Sequence, residues 1–315
     1  MRRGVMCAVV LVLLLADSAA ALQPGAPRSV RTARPGDAQP RARALMEDWT
    51  LELVDARSRA QIGLRVFRSP DEGMGARIDL NHAGRTISTD DIAFRPAIVR
   101  RGGSWTVRFS SPTSEGEIRL RSPRPGVTAQ RWRLGREAGY ADHVTLSWAT
   151  PVATSRATGT VRIGDKTVEL RGWRGSLEHR WGTISRQWRA WDHLGAALVH
   201  TRGGSAWMLQ GLNRRDLLTG AGARDAFWLG LLVHVTSART TFCRPRITRR
   251  RWSVGLDGPL AVTIIRASCG GHRVRFRQLA GDIVLGSEFG ELGQDARASA
   301  RPRGPAWIRY AGHDY

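Results

Sequence analysis

Alternation of apolar and polar residues with a period of two dominates the chain. It runs through residues 105–109 and, after a turn at 112–116, through residues 118–120. Strict alternation over short stretches is typical of half-buried β-strands, and two such stretches around a turn predict a hairpin. Helical periodicity is nearly absent. Residues 225–236 are the one ambiguous window, and their aromatic and β-branched content favours a strand.

The same pattern predicts three further hairpins. Their arms are residues 51–54 with 62–66, 160–163 with 167–170, and 260–268 with 273–277. Many short strands at close spacing predict an all-β fold, with antiparallel strands in a sandwich or barrel. About 270 ordered residues are long for one eight-stranded barrel. We therefore predict two barrel-like halves, at 45–155 and 156–315, with the seam where Pro151 and small residues interrupt the pattern.

The first 21 residues have the pattern of a secretory signal peptide. Two arginines precede an apolar run over residues 5–16, and small residues follow. The run is too short and wrongly flanked for a stable membrane span. We predict export after cleavage near Ala21, with a membrane tether by an uncleaved signal as the alternative. Residues 22–44 are rich in Pro and Arg and poor in large apolar side chains, which predicts a disordered leader.

Arginine dominates the charge of the chain. The 49 Lys and Arg residues outnumber 27 Asp and Glu, for a net charge of +22, and Lys166 is the only lysine. Such a field favours anionic partners such as a cell-envelope polymer, although a GC-rich genome gives the same arginine bias. The run Arg244–Arg251 beside Trp252 has the residue types of a nucleic-acid patch. Export argues against nucleic acid, and a charged strand edge that blocks aggregation is the preferred interpretation.

Cysteine and glycine spacing excludes several kinds of site. Outside the signal the chain has only Cys243 and Cys269, which permits one disulfide in an oxidising compartment. Two cysteines and scattered histidines do not make a zinc site. The glycine-rich stretches lack the strand–loop–helix context of a phosphate loop, and no Gly-x-Ser-x-Gly elbow occurs. We therefore predict no metal and no cofactor.

Tryptophan is used far more than the other aromatic residues, with 12 Trp against 7 Phe and 3 Tyr. Trp combines a large apolar area with one N–H donor, which suits the wall of a pocket for a bulky apolar ligand. Tryptophans on half-buried strands also simply fill a core. The candidate ligand-binding residues are five that cluster in one part of the chain: Trp173, Trp181, Trp188, Trp191 and Trp207.

One segment, residues 172–182, places ionisable groups between indoles and glycines in the sequence GWRGSLEHRWG. Ionisable groups among large aromatics are costly unless they are paired or functional. In an extended strand, His179 and Trp181 lie on one face, whereas Glu178 and Arg180 lie on the other.

This segment resembles a motif of the carotenoid 1,2-hydratase (hydroxyneurosporene synthase) and AttH-like family. Glu178–Gly182 matches the acidic-His-x-Trp-Gly motif, and Trp191-Asp192 matches the later Trp-Asp element; Leu177 stands where an aromatic residue is more usual. The resemblance is firmest over residues 146–211. It implies two lipocalin-like β-barrel halves and a hydratase, cyclase or related activity on terpenoid or polyketide substrates.

The resemblance also implies a chemistry for the ionisable residues, without a cofactor and on an apolar terpenoid, polyketide or lipid. Hydration or cyclisation of an alkene needs a carboxylic acid that stays protonated near neutral pH, and burial among indoles raises a carboxyl pKa. Glu178 or Asp192 is the candidate acid, with His179 orienting it through a hydrogen bond. The alternative is a structural role for these residues in buried polar bonds. A non-catalytic carrier of an apolar molecule and a binder of anionic envelope polymer also stay open.

Overall fold

The structure, a computed structural model, describes residues 27–44, 46–55, 60–69, 73–82, 85–91, 97–133, 145–183, 194–213, 228–255, 258–280, 283–285, 291–301 and 305–313. These residues form β-strands and two short 3₁₀ turns, at Pro35–Ala38 and Arg202–Gly204. No helix in this part of the chain is long and apolar enough to cross a membrane. The all-β prediction is confirmed. The predicted signal peptide, at residues 1–21, lies outside the described residues.

Twelve of the described strands form a first antiparallel sheet. They are β1 (Pro27–Thr32), β2 (Met46–Val54), β3 (Ala60–Ser69), β4 (Gly73–His82), β5 (Arg85–Asp91), β6 (Ala97–Arg101), β7 (Ser104–Ser110), β8 (Ser114–Arg124), β9 (Val127–Arg133), β10 (Thr145–Ile163), β11 (Lys166–Glu169) and β12 (Trp173–Gly182). The main path runs β5-β4-β3-β2-β12-β10-β8-β7-β6. The sheet curls on itself. A hydrogen bond of 2.8 Å between Thr89 on β5 and Ser114 on β8 shows this, since the two strands are far apart along the sheet path.

Ten further described strands form a second antiparallel sheet. They are β13 (Leu194–His200), β14 (Ala206–Asn213), β15 (Trp228–Val235), β16 (Thr240–Cys243), β17 (Arg246–Gly255), β18 (Gly258–Cys269), β19 (His272–Ala280), β20 (Ile283–Leu285), β21 (Glu291–Arg301) and β22 (Pro305–His313). The main path runs β16-β15-β14-β13-β22-β21-β19-β18-β17. The arginine-rich strand β17 is therefore one end of this path. A disulfide joins Cys243 to Cys269, whose Cα atoms are 6.3 Å apart.

The hairpins predicted from the alternation are present. They are the pairs β2/β3, β7/β8, β10/β11 and β18/β19. Apolar side chains on alternate positions of the first sheet enter one core, which includes Trp105, Ile118 and Leu120. Burial of these positions stabilises the fold by about 1.5–3 kcal/mol for each large apolar side chain. The ambiguous window also contains a strand, β15.

Two predicted boundaries are wrong. Strand β10 runs unbroken through the expected seam at 155/156, because Pro151 and the small residues cause register shifts in the pairing with β12 rather than a break. The change of sheet falls between β12 and β13 instead. The predicted leader is ordered from Pro27 onward: β1 pairs with β9, and the turn Pro35–Ala38 buries Asp37 and Ala38. Its composition is poor in large apolar residues, but strand pairing and buried ion pairs hold it in place.

The two sheets share a buried layer. An apolar cluster contains Trp148 and Ala153 of β10 together with Leu198 of β13 and Met208 of β14. Polar contacts also cross the junction, since Gln210 of β14 donates to Thr150 of β10. We call this region the inter-sheet layer. The face of β12 that carries Glu178 packs against this layer, and we call it the outer face; the opposite face, which carries His179, is the inner face.

Candidate functional site

Strand β12 carries the ionisable segment into the middle of the first sheet. It pairs with β2 on one side and with β10 on the other, so that no part of it from Trp173 to Gly182 lies at a sheet edge. Alternate side chains point to opposite faces of a strand. His179 lies opposite Trp49 of β2, and Glu178 lies opposite Thr50. The two neighbouring residues therefore occupy two different environments.

His179 lies within the core of the first sheet, stacked between two indoles. Its ring centroid is 4.7 Å from that of Trp49 and 4.7 Å from that of Trp181, and its side chain is 0% exposed. The guanidinium of Arg41 covers the Trp181 ring at 4.7 Å from the centroid. Stacked planar rings of this kind fix the orientation of an imidazole.

Both ring nitrogens of His179 have oxygen partners. Nδ1 donates to the backbone carbonyl of Asp37 at 2.5 Å, because a carbonyl oxygen only accepts. Nε2 lies 2.7 Å from Oε1 of Glu47. The Glu47 carboxylate also accepts the backbone N–H of Arg41 at 2.7 Å and the guanidinium of Arg68 at 2.5 Å. Every polar atom of this pair therefore has a partner, and the pair has the arrangement of a structural network.

The turn Pro35–Ala38 covers His179 and completes its hydrogen-bond network through Asp37. The Asp37 carboxylate accepts two guanidinium nitrogens of Arg31, at 2.6 and 2.7 Å, and the hydroxyl of Thr128 at 2.7 Å. Burial by itself raises the pKa of Asp37, but the hydrogen bonds from Arg31, the Arg34 N–H and Thr128 outweigh it and lower the pKa to about 2. The carboxylate therefore stays charged and holds the turn over His179.

Glu178 lies on the opposite face of β12, in the inter-sheet layer. Its side chain is 1% exposed. Burial raises its pKa to about 7, against the opposing effects of the Arg180 charge and of the neighbouring Trp148 and Gln210 side chains. The charge of Asp48 raises it further. A carboxyl group in this environment holds its proton up to neutral pH, which is the property of a general acid.

The Arg180 guanidinium, whose charge acts on Glu178, also pairs with Asp48. Arg180 donates to Asp48 at 2.7 Å, and Arg65 donates to the other oxygen of Asp48 at 3.3 Å. The Arg180 guanidinium also lies over the Trp148 ring at 5.5 Å from the centroid. Arg180 is therefore shared between Asp48 and Glu178, and its charge lowers the Glu178 pKa by less than burial raises it.

The structure separates residues that the sequence analysis put together. The prediction that His179 orients Glu178 is wrong, because the strand alternation turns them to opposite faces and His179 is bonded to Asp37 and Glu47. Trp173 and Trp181 lie on the face of His179, not of Glu178. Asp192, Trp188 and Trp191 lie outside the described residues.

Trp207 lies in neither of these two environments, but in an aromatic cluster of the second sheet. It stacks on His234 with centroids 3.9 Å apart, and His272 lies 5.0 Å from it in a tilted arrangement. Gln210, which reaches Glu178, points to the opposite face of β14 because it lies an odd number of residues away. Among the described residues, no group of three or more His, Cys, Asp or Glu side chains is placed to hold a metal ion.

Several site residues were not identified from the sequence. Trp148 and Gln210 flank Glu178, and Glu47 and Asp37 bind His179. The sequence does contain one indication for Glu47. The strand MEDWTLELV has two adjacent acidic residues near its start, and burying both is costly unless each has a hydrogen-bond or ion-pair partner. The contacts of Asp37 and Gln210 depend on tertiary packing, and no local pattern marks them.

Comparison with known proteins gives likenesses of fold. No protein-family model matches the chain, and no curated protein matches it. The crystal structure of an AttH-like protein from Nitrosomonas europaea superimposes with a TM-score of 0.62 at 12% identity, covering 93% of this chain and 100% of that one. The crystal structure of CghA gives a TM-score of 0.58 at 13% identity, covering 92% of this chain and 94% of that one. The chain therefore has an all-β, lipocalin-like fold similar to that of an AttH-like protein and of CghA.

Proposed function

We propose that the protein is a cofactor-independent hydratase, cyclase or isomerase in which Glu178 donates the proton to an apolar substrate. The observation that carries the proposal is the burial of Glu178 between the two sheets, beside Trp148 and Gln210, which raises its pKa to about 7. The likeness of fold to an AttH-like protein supports the same class. The pattern of residues 1–21 supports a site of action outside the cytoplasm.

The proposed step needs only the residues of the inter-sheet layer. The Glu178 carboxyl transfers its proton to one carbon of a substrate double bond, and the electron pair of that bond forms the new C–H bond. In hydration, water adds to the neighbouring carbon and its proton returns to the Glu178 carboxylate. In cyclisation or isomerisation, a second double bond or a C–H bond supplies the electron pair, and a proton lost from carbon returns to Glu178.

The aliphatic side chains and Trp148 of the inter-sheet layer supply apolar contacts for a substrate, and such contact is favourable by about 25 cal/mol per Å². The nearest neighbours of Glu178, Thr50 and Ser176, are polar. The substrate class is terpenoid, polyketide or lipid. The same site without turnover would make the protein a carrier, and the test separates these two functions.

The test begins with the bound molecule. Native mass spectrometry on protein purified gently from its own host is expected to show an apolar adduct. The compound is then incubated with the protein in D₂O, where proton donation by Glu178 places one deuterium on carbon and hydration also adds the mass of one water molecule. Glu178→Gln is expected to lower this turnover about 10²–10⁴-fold, the usual contribution of a general acid.

Glu115→Gln is the control, because it removes a carboxylate away from the inter-sheet layer. Glu115 is an exposed carboxylate of β8 that pairs with Arg162 at 3.0 Å. Its substitution is expected to keep turnover. Turnover by Glu178→Gln at the rate of the unchanged protein would overturn the assignment of the acid. An adduct that is never converted, in either variant or in the unchanged protein, would identify a carrier.

A further inference from the structure

Three arginines meet at one end of the inter-sheet layer. Arg174 of β12 lies directly opposite Arg156 of β10, and Arg124 of β8 lies opposite Thr154, two residues before Arg156. Arg124 and Arg174 are half-buried, and Arg156 is exposed. Like charges on directly opposed positions of neighbouring strands are destabilising. The arrangement therefore costs stability unless an anion balances it.

The described residues supply no carboxylate partner for these three arginines. Two other arginines of the first sheet do have one, since exposed Arg108 pairs with Glu117 at 3.0 Å and half-buried Arg162 pairs with Glu115 at 3.0 Å. Burial lowers the pKa of Arg174, and the charges of Arg156 and Arg124 lower it further. The three guanidinium groups thus act on one another as unneutralised charges.

The second sheet completes the surroundings of this cluster. Its turn at Arg202–Gly204 comes so close that a Cβ on Gly204 would lie 3.6 Å from Nη2 of Arg124. The adjacent His200 is wholly buried, and its Nδ1 is 2.9 Å from the hydroxyl of Thr154. Burial, and then the Arg174 charge, lower its pKa to about 3, so the ring is neutral.

Two buried polar atoms next to the cluster have no hydrogen-bond partner among the described residues: Nε2 of His200 and Oγ of Ser176. Ser176 lies on the same face of β12 as Arg174 and Glu178, midway between them. Buried polar groups normally have a partner in the protein or in a bound molecule. Their position points to a polar group of a ligand beside the arginines.

We propose that Arg124, Arg156 and Arg174 bind the anionic end, a carboxylate or phosphate, of the substrate whose apolar part reaches Glu178. Arg174 and Glu178 are four residues apart on one face of a strand, a distance of about 13 Å. Val54, the β2 partner of Arg174, belongs to the aliphatic inter-sheet layer. Glu52 and Thr50 lie opposite Ser176 and Glu178, so the path toward Glu178 has polar side chains along it. The inference rests on the proposed function and narrows its substrate to an apolar molecule with an acidic end.

The test uses two fluorescent probes that differ by one charge, dansyl-aminoundecanoic acid and its methyl ester. The unchanged protein is expected to bind the acid more tightly than the ester. The double variant Arg156→Gln/Arg174→Gln is expected to weaken binding of the acid about tenfold or more, the value of one or two charge-assisted hydrogen bonds, and to leave the ester unchanged. Arg100→Gln/Arg101→Gln, on exposed positions of β6, removes the same charge elsewhere and serves as the control.

Four results would overturn the inference. They are equal binding of acid and ester by the unchanged protein, equal weakening by the two double variants, no binding of either probe, and binding of inorganic phosphate as tight as that of the acid. The last result would identify a site for a free anion. If the double variant fails to fold, the exposed single change Arg156→Gln carries the test. Because these measurements read binding alone, they can fail while Glu178→Gln still abolishes turnover.

Discussion

The two faces of β12 bury neighbouring ionisable residues in opposite ways. On the inner face, His179 has an oxygen partner at each nitrogen and an indole on each side, and Glu47 is balanced by Arg68. On the outer face, Glu178 is equally buried, and the Arg180 charge that acts on it also pairs with Asp48. Burial alone does not distinguish a structural residue from a reactive one. The distinction lies in the balance around each group: oxygen partners and a cation surround the His179–Glu47 pair, whereas burial outweighs the other effects on the Glu178 pKa.

The largest effect is expected from removing the inner pair. His179→Ala leaves Glu47 buried without its Nε2 partner and opens a gap between two indoles, which breaks a buried hydrogen-bonded pair. We expect the free energy of unfolding to fall by about 3–5 kcal/mol, measured by urea denaturation at neutral pH. Folded His179→Ala protein at low temperature is expected to keep turnover, because His179 does not face Glu178.

Glu178→Gln is the matched control for this prediction, since it changes the adjacent residue while preserving its shape. We expect its unfolding free energy to stay close to that of the unchanged protein below pH 4.5 and not to fall below it at neutral pH, because Gln does not titrate. If Glu178→Gln lost as much stability as His179→Ala, the proposed difference between a structural inner face and a reactive outer face would be wrong. It would also be wrong if His179→Ala abolished turnover in protein that is still folded.

Part of this contrast could be predicted from the sequence, and what could not be predicted depends on tertiary packing. Period-two alternation located the hairpins and predicted that residues 178 and 179 point to opposite faces. It could not predict that the turn at Pro35–Ala38 closes over His179, because that contact joins residues 142 apart in the chain. It also could not find Gln210, since the packing of one sheet on the other leaves no local pattern. The charge density of the motif marked the correct strand but not the role of each side chain.

A second prediction concerns pH. Because the folded protein raises the pKa of Glu178 from 4.5 to about 7, it binds the proton more tightly than the unfolded chain does. The contribution of Glu178 to stability is therefore fully present below pH 4.5, declines as pH rises, and is lost above about 7, by on the order of 3 kcal/mol. Subtracting the urea-denaturation profile of Glu178→Gln from that of the unchanged protein isolates this decline. A difference that does not change between these pH values would contradict the raised pKa.

Asp37 is expected to show the opposite sign. Its folded pKa is lowered to about 2 from 3.8, so its contribution is present above pH 3.8 and is lost as pH falls toward 2. With allowance for solvent screening at the half-exposed Arg31, Asp37→Asn is expected to cost about 1–2 kcal/mol at neutral pH. Urea denaturation measures the loss, which should shrink in acid. A loss that is the same at pH 3 and pH 7 would show that the carboxylate charge does not hold the turn.

The smallest effect is expected from replacing Arg41. This change tests whether the side chain that covers the inner face contributes less to stability than the buried His179–Glu47 pair. The Arg41 side chain lies over Trp181 and reaches Asp37 at 3.4 Å, whereas its backbone N–H binds Glu47. Arg41→Gln removes these side-chain contacts, together with the hydrogen bond from Nη2 to the Gly36 carbonyl at 3.2 Å, and leaves the backbone contact in place. We therefore expect a loss of about 1 kcal/mol or less. Thermal unfolding with Trp fluorescence reports both the stability and the environment of Trp181. A loss as large as that of His179→Ala would mean that the covering segment, rather than the His179–Glu47 pair, holds the inner face together.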